Sequence, residues 1–156
     1  MNDGKVEVLF THQGIAYWSE VLGPVGGDCI DACVLMMHCT GGNKAGWCEI
    51  IGQIGQLLVG STQDWSGRHP PRLLVIAPDF SGHGQSRHYP KPFDTEAGDI
   101  DFEVFSHDAF DCLDTERARR GLSESSGLPI IACGHSMGAS CAIICAMLRP
   151  REFCAM

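Results

Sequence analysis

Short apolar runs and amphipathic stretches alternate along this chain in a regular order. Over residues 5–10, Val6, Val8 and Phe10 alternate with Glu7 and Leu9, and over 15–22, Ile15, Tyr17 and Val21 stand among polar partners. Both stretches read as half-buried strands. Gln13-Gly14 between them is a turn signal, so the two are expected to pair antiparallel, with His12 a solvated neighbour of the turn. Residues 31–38 are different: Ala32-Cys33-Val34-Leu35-Met36-Met37 is apolar without a break. Residues 72–78 and 128–133 repeat that pattern. Unbroken apolar runs of this length are what strands buried on both faces look like.

Between the apolar runs the spacing becomes helical. Trp47, Ile50, Ile51, Ile54, Leu57 and Leu58 line one face of a helix over 45–59. Phe102, Phe105, Ala109, Cys112 and Leu113 do the same over 101–121. In that second helix acids crowd the start and Arg117, Arg119 and Arg120 crowd the end, which complements the helix dipole. The charges read as a solvated face, and Gly121 as the stop. A third helix, 139–148, is apolar all round. The order is two leading strands, then strand and helix three times over, which predicts an α/β fold with a mostly parallel sheet. Ligands in such sheets gather at the carboxyl ends of strands. Residues 38–43, 79–86 and 134–138 all follow strands in this way.

Composition narrows the class. A chain of 156 residues, 44% hydrophobic and 19% charged, is one soluble domain by length and content. A net charge of −8 disfavours nucleic acid or an anionic membrane as partner. No apolar run has the length of a membrane span, and Met1-Asn2-Asp3-Gly4-Lys5 is not a basic-then-apolar leader. The nine cysteines are odd in number and contain no C-x-x-C pair. They read as reduced thiols in a cytoplasmic protein. The His and Cys spacings match no closed zinc site, so no metal is expected. Gly82-x-Gly84 lacks the third glycine and the following helix of a dinucleotide loop, and no cofactor is expected.

The candidate chemistry lies in Gly134-His135-Ser136-Met137-Gly138. Strand, G-x-S-x-G and helix together describe a nucleophile elbow. The serine sits on a strained turn, Gly134 and Gly138 keep side chains away from it, and the Met137 N–H opens a helix where negative charge on an attacked carbonyl would fall. His135 is expected to point away and pack.

With His38-Cys39-Thr40-Gly41-Gly42 and Asp79-Phe80-Ser81-Gly82-His83-Gly84-Gln85-Ser86, this segment resembles the α/β-hydrolase superfamily, in its serine-nucleophile branch with the G-H-S-M-G elbow. The match in order and spacing covers roughly residues 30–150. The resemblance implies Ser136 as nucleophile and an oxyanion hole from the backbone N–H groups of Met137 and Thr40. His38, Gly41, Gly42, Gly134 and Gly138 would support it. It implies a small-molecule acyl substrate: an ester, thioester or amide cleaved through an acyl-enzyme. Cys39 departs from the pattern, since glycine is commonest there.

In this superfamily the acid and the histidine of the triad follow the serine. Residues 1–156 therefore read as the N-terminal half of such a core, a partial domain cut after the elbow helix. Of the histidines present, His83 has the best position for a substitute base, with His88 near it. Asp79 is expected to fix its own loop. The alternative to an enzyme is a non-catalytic α/β-hydrolase-like module without acid and base. An all-apolar helix over 139–148 and an elbow strand left as an edge predict self-association. Sedimentation of the purified chain is expected to show oligomers; a monomer that unfolds cooperatively and reversibly would contradict this.

Overall fold

The computed structural model describes residues 7–25, 29–60, 70–86, 101–122 and 127–156. Six strands form one sheet: β1 (Leu9–Phe10), β2 (Ala16–Leu22), β3 (Ala32–Met37), β4 (Leu73–Pro78), β5 (Ile130–Gly134) and β6 (Phe153–Ala155). Three helices connect them: α1 (Cys48–Gly60), entered through a 3-10 turn at Lys44–Trp47, α2 (Phe102–Arg120) and α3 (Met137–Leu148). The spatial order is β1-β2-β4-β3-β5-β6. β4, β3, β5 and β6 run parallel; β2 runs antiparallel to β4, and β1 antiparallel to β2. This is the expected α/β architecture. The leading pair turns at Thr11–Gly14, where Gly14 takes φ 89 and its N–H donates to the Thr11 carbonyl. The paired part of β1 is shorter than the apolar pattern of 5–10, and residues 5 and 6 lie outside the described ones.

Strand alternation divides the core in two. Cys33, Leu35 and Met37 of β3, with Leu74 and Ile76 of β4 and Ile130 and Ala132 of β5, face α2 and α3. Val34 and Met36, with Val75 and Ala77, face α1 through Trp47, Ile51 and Leu58. Both faces of β3 are therefore covered, which is why its run of apolar residues is unbroken. β5 is covered less evenly. Ile130 and Ala132 are buried, but Ile131 and Cys133 on the α1 side are only half-buried. On α1, Ile50 and Leu57 remain exposed although they belong to the sequence's apolar stripe.

The tail corrects one expectation. β5 is not an edge, because residues 153–155 pair with it in parallel and make β6 the edge. Side chains hold that return. Arg149 forks onto Asp114 at 2.9 and 2.8 Å and lies 4.0 Å over the Phe110 ring. Arg117 Nη1 donates to Glu152 at 2.6 Å. As its pattern requires, α3 does leave apolar side chains outside: Ile143, Met147 and Leu148 are exposed.

A second correction concerns the charges of α2. Asp101 caps its start by accepting the Glu103 N–H at 2.9 Å, and Gly121 ends it at φ 67. The last turns, however, are a solvated face only in part: Arg119 is exposed, but Glu116 and Arg117 are buried. The Glu116 carboxylate accepts from Tyr17 Oη on β2 (3.2 Å), Ser19 Oγ (2.6 Å), Arg119 Nε and Nη2 (2.8 Å each) and Arg120 Nε (2.5 Å). Burial pushes its pKa up, but hydrogen bonds from Arg119, Ser19 and Arg120 outweigh that and hold it at about 2. The same carboxylate helps to push the Tyr17 hydroxyl, already raised by burial, well above its usual range.

A depressed carboxyl pKa stabilises the fold above the unfolded value near 4.5, and that contribution is lost as pH falls toward about 2. Glu116→Gln is therefore expected to lower stability at pH 7 by about 3 kcal/mol. It should also flatten the loss of stability between those two pH values. Urea unfolding of both proteins across that range checks it; parallel curves would refute the assignment.

Candidate active site

β4, β3 and β5 are neighbours in the sheet and parallel, so the three loops singled out in the sequence leave its carboxyl edge side by side. The chain leaves β3 toward β4 and leaves β5 toward β6 on the other side. The gap between the ends of β3 and β5 is thus a point where the winding reverses, the place where such sheets hold ligands.

The elbow is built by close backbone approach. Ser136 has φ 55 and ψ −115, and it alone among the described non-glycine residues takes positive φ. Such a conformation costs about 1–3 kcal/mol and persists only where its surroundings impose it. Here they do. A Cβ at Gly138 would lie 2.1 Å from the Met37 carbonyl oxygen at the end of β3, and one at Gly134 would lie 2.2 Å from the Gly138 oxygen. The His135 N–H donates to that same Met37 carbonyl at 3.1 Å. Ser136 is left exposed, with no cap hydrogen bond from its side chain, while the Met137 side chain is buried in the α2–α3 core. The N–H groups of Gly138, Ala139 and Ser140 are taken by the His135 and Ser136 carbonyls. Among the described residues, the Met137 N–H has no backbone partner and is free to receive a ligand oxygen.

The loop after β3 carries the other expected donor. Cys39 to Gly42 is a type II turn, with the Gly42 N–H donating to the Cys39 carbonyl at 2.9 Å and Gly41 at φ 71. Thr40 is exposed at its tip. His38 lies beneath, buried, with both ring nitrogens engaged. Nδ1 donates to the Cys39 carbonyl at 2.8 Å, and Nε2 accepts the Phe80 N–H at 3.1 Å. Burial lowers its pKa and keeps it neutral, as that pair of bonds requires. Cys39, the departure from the glycine pattern, fits: its Sγ lies 3.1 Å from where a Gly42 Cβ would be.

His83 and Asp79 sit on the loop after β4. His83 Nδ1 is 3.1 Å from the Ser81 carbonyl, and the ring packs tilted against His38 (centroids 5.0 Å) and edge-on to Phe105 (5.8 Å). It is packed at the site's edge, without a hydrogen bond to Ser136. Asp79 does fix its own loop, through the Gln85 N–H at 2.8 Å, but it also holds Lys44, which the sequence reading did not single out. Ser81 is tied to Asp108 of α2, whose carboxyl is pushed up to about 6 by burial despite two hydrogen bonds from Ser81. His88 lies outside the described residues.

His135 corrects the expectation that it packs. Alternation places it with Ile131 and Cys133, on the side that α1 covers only in part, and it is exposed. It borders a cleft of about 300 Å³ with His38, Cys39, Asn43, Trp47 and Ile50.

Two substitutions at the elbow should act in opposite directions. Gly138→Ala must move the end of β3 and is expected to cost at least about 3 kcal/mol. Ser136→Gly relieves the positive φ and is expected to be about 1 kcal/mol more stable than Ser136→Ala. Urea denaturation midpoints decide both; equal stability of the two Ser136 variants would mean that the turn stores no strain.

Known proteins share this fold. The chain is 37% identical over 84 residues to the monoglyceride lipase of Homo sapiens, an alignment covering 54% of this chain and 24% of that protein. An alpha/beta superfamily hydrolase from Oenococcus oeni PSU-1 superposes with a TM-score of 0.61 at 14% identity, over 94% of this chain and 41% of its own. A lipase in an open form does so with a TM-score of 0.55 at 21% identity, over 94% and 40%. These likenesses at low identity show a shared fold, and the chain spans about a quarter of the curated relative's length. Residues 34–154, most of the chain and all three loops, match the Alpha/beta hydrolase family, and to that family the chain belongs.

Proposed function

We propose that this chain carries the nucleophile and the oxyanion hole of a serine hydrolase acting on carboxylic esters. The observation that carries the reading is the strained, exposed Ser136 at the start of α3. In this mechanism the Ser136 oxygen attacks the ester carbonyl, and the negative charge on the former carbonyl oxygen is met by the N–H groups of Met137 and Thr40. Collapse expels the alcohol and leaves an acyl-enzyme on Ser136. Water then releases the acid. An ester fits better than a thioester or amide because the monoglyceride lipase is the sequence relative.

The hydroxyl proton needs a base within hydrogen-bond reach. His38 has both nitrogens committed, and His83, whose Nδ1 lies on the Ser81 carbonyl, makes no hydrogen bond to Ser136. The proposal therefore requires a histidine to reach Ser136, either His83 through its Nε2 or one outside the described residues. That same requirement favours a second reading, a non-catalytic binding module of the family.

A fluorophosphonate probe separates the two. Incubation of the purified chain, with Ser136→Ala alongside and the adduct located by mass, is expected to label Ser136 in the unsubstituted protein only. A folded chain that takes up no label would favour the binding module.

A further inference from the structure

The loop between β3 and the 3-10 turn is held at both ends by two consecutive residues. At its start, the Phe80 N–H donates to His38 Nε2. At its end, Asp79 grips Lys44 twice: Oδ1 accepts the Lys44 N–H at 2.7 Å, and Oδ2 accepts from Lys44 Nζ at 2.5 Å. Lys44 Nζ also donates to Gln85 Oε1 at 2.8 Å. The carboxylate is fully buried and the Lys44 side chain nearly so. Gly84, at φ 53, makes the room: a Cβ there would lie 2.2 Å from Asp79 Oδ2. Thr40 stands between the two holds.

A buried ion pair is weak evidence for stability but strong evidence for geometry, because each partner fixes where the other can be. We infer that Lys44 is a positioning residue for the Thr40 N–H: clasped by Asp79, it fixes the far end of the loop whose near end His38 fixes. The role given to Thr40 rests on the hydrolase reading; the clasp itself does not. With the lysine side chain released, the far end of the loop would keep only the backbone N–H bond from residue 44 to Asp79, and its tip would sample positions in which the Thr40 N–H misses the developing charge.

The test is amide hydrogen exchange by NMR on the 156-residue chain, Lys44→Met and the double variant Lys44→Met/Asp79→Asn. The double variant removes both charges, so it folds even if the single one strands Asp79. In both, exchange of the Gly42 N–H is expected to rise about tenfold, with the Leu35 and Ile76 amides of the central strands unchanged. Fluorophosphonate labelling of Ser136 should slow by about tenfold in its bond-forming step, with the probe's reversible affinity unchanged. Gly42 and the strand amides speeding up together in the double variant would overturn the inference, as would unchanged Gly42 exchange or unchanged labelling. If the unsubstituted chain takes no label while Gly42 alone loses protection, the clasp stands and the hydrolase reading falls.

Discussion

The structure depends on one close approach, that of Gly138 to the Met37 carbonyl at the end of β3. It brings the first turn of α3 against the backbone of the central strand at a distance no side chain allows. The approach forces the turn between β5 and α3 into a conformation that Ser136 adopts only because the backbone on both sides is pinned. Exposure of the serine, burial of Met137 and the availability of the Met137 N–H all follow from that packing. The strain is local, and the hydrogen bonds and burial of the parallel strands around it offset the cost.

The surrounding sheet makes the same edge available to three loops. Because β4 and β3 are adjacent and parallel, residues that are far apart in sequence meet, Phe80 with His38 and Asp79 with Lys44, while α2 packed beneath brings Asp108 to Ser81. Each contact satisfies a buried polar group, and each lowers the freedom of a loop at the sheet's carboxyl edge. Strand β2, beside β4, contributes rigidity by another route, the buried Glu116 that joins α2 to it through Tyr17 and Ser19.

The α1 side is less complete. Helix α1 covers β4 and β3, while β5 keeps half-buried apolar residues and a solvent-exposed His135 beside the elbow. The exposed Ile50 of α1 borders the same cleft. The face nearest to Ser136 is thus the one with the least cover, whereas the α2–α3 face beneath it is closed.

Much of this was determined by the sequence alone. Unbroken apolar runs required strands buried on both faces, helical spacing required α1 and α2, and Gly134 and Gly138 around Ser136 required the elbow, because these are local demands that each residue type meets or fails by itself. The three loops followed from their places after strands. Other features depended on residues remote in sequence. Nothing in Lys44 or Asp79 separately shows that they form a buried pair; only the adjacency of β3 and β4 brings them together. The charges ending α2 look solvated on a helical wheel, but β2 meets Glu116 through Tyr17 and the turn before β6 meets Arg117 through Glu152. His135 looked like a packing residue, but strand alternation and the limited reach of α1 exposed it. Local pattern specifies which element forms and which face is apolar, whereas burial of a charge or exposure of a histidine is decided by what packs against that face.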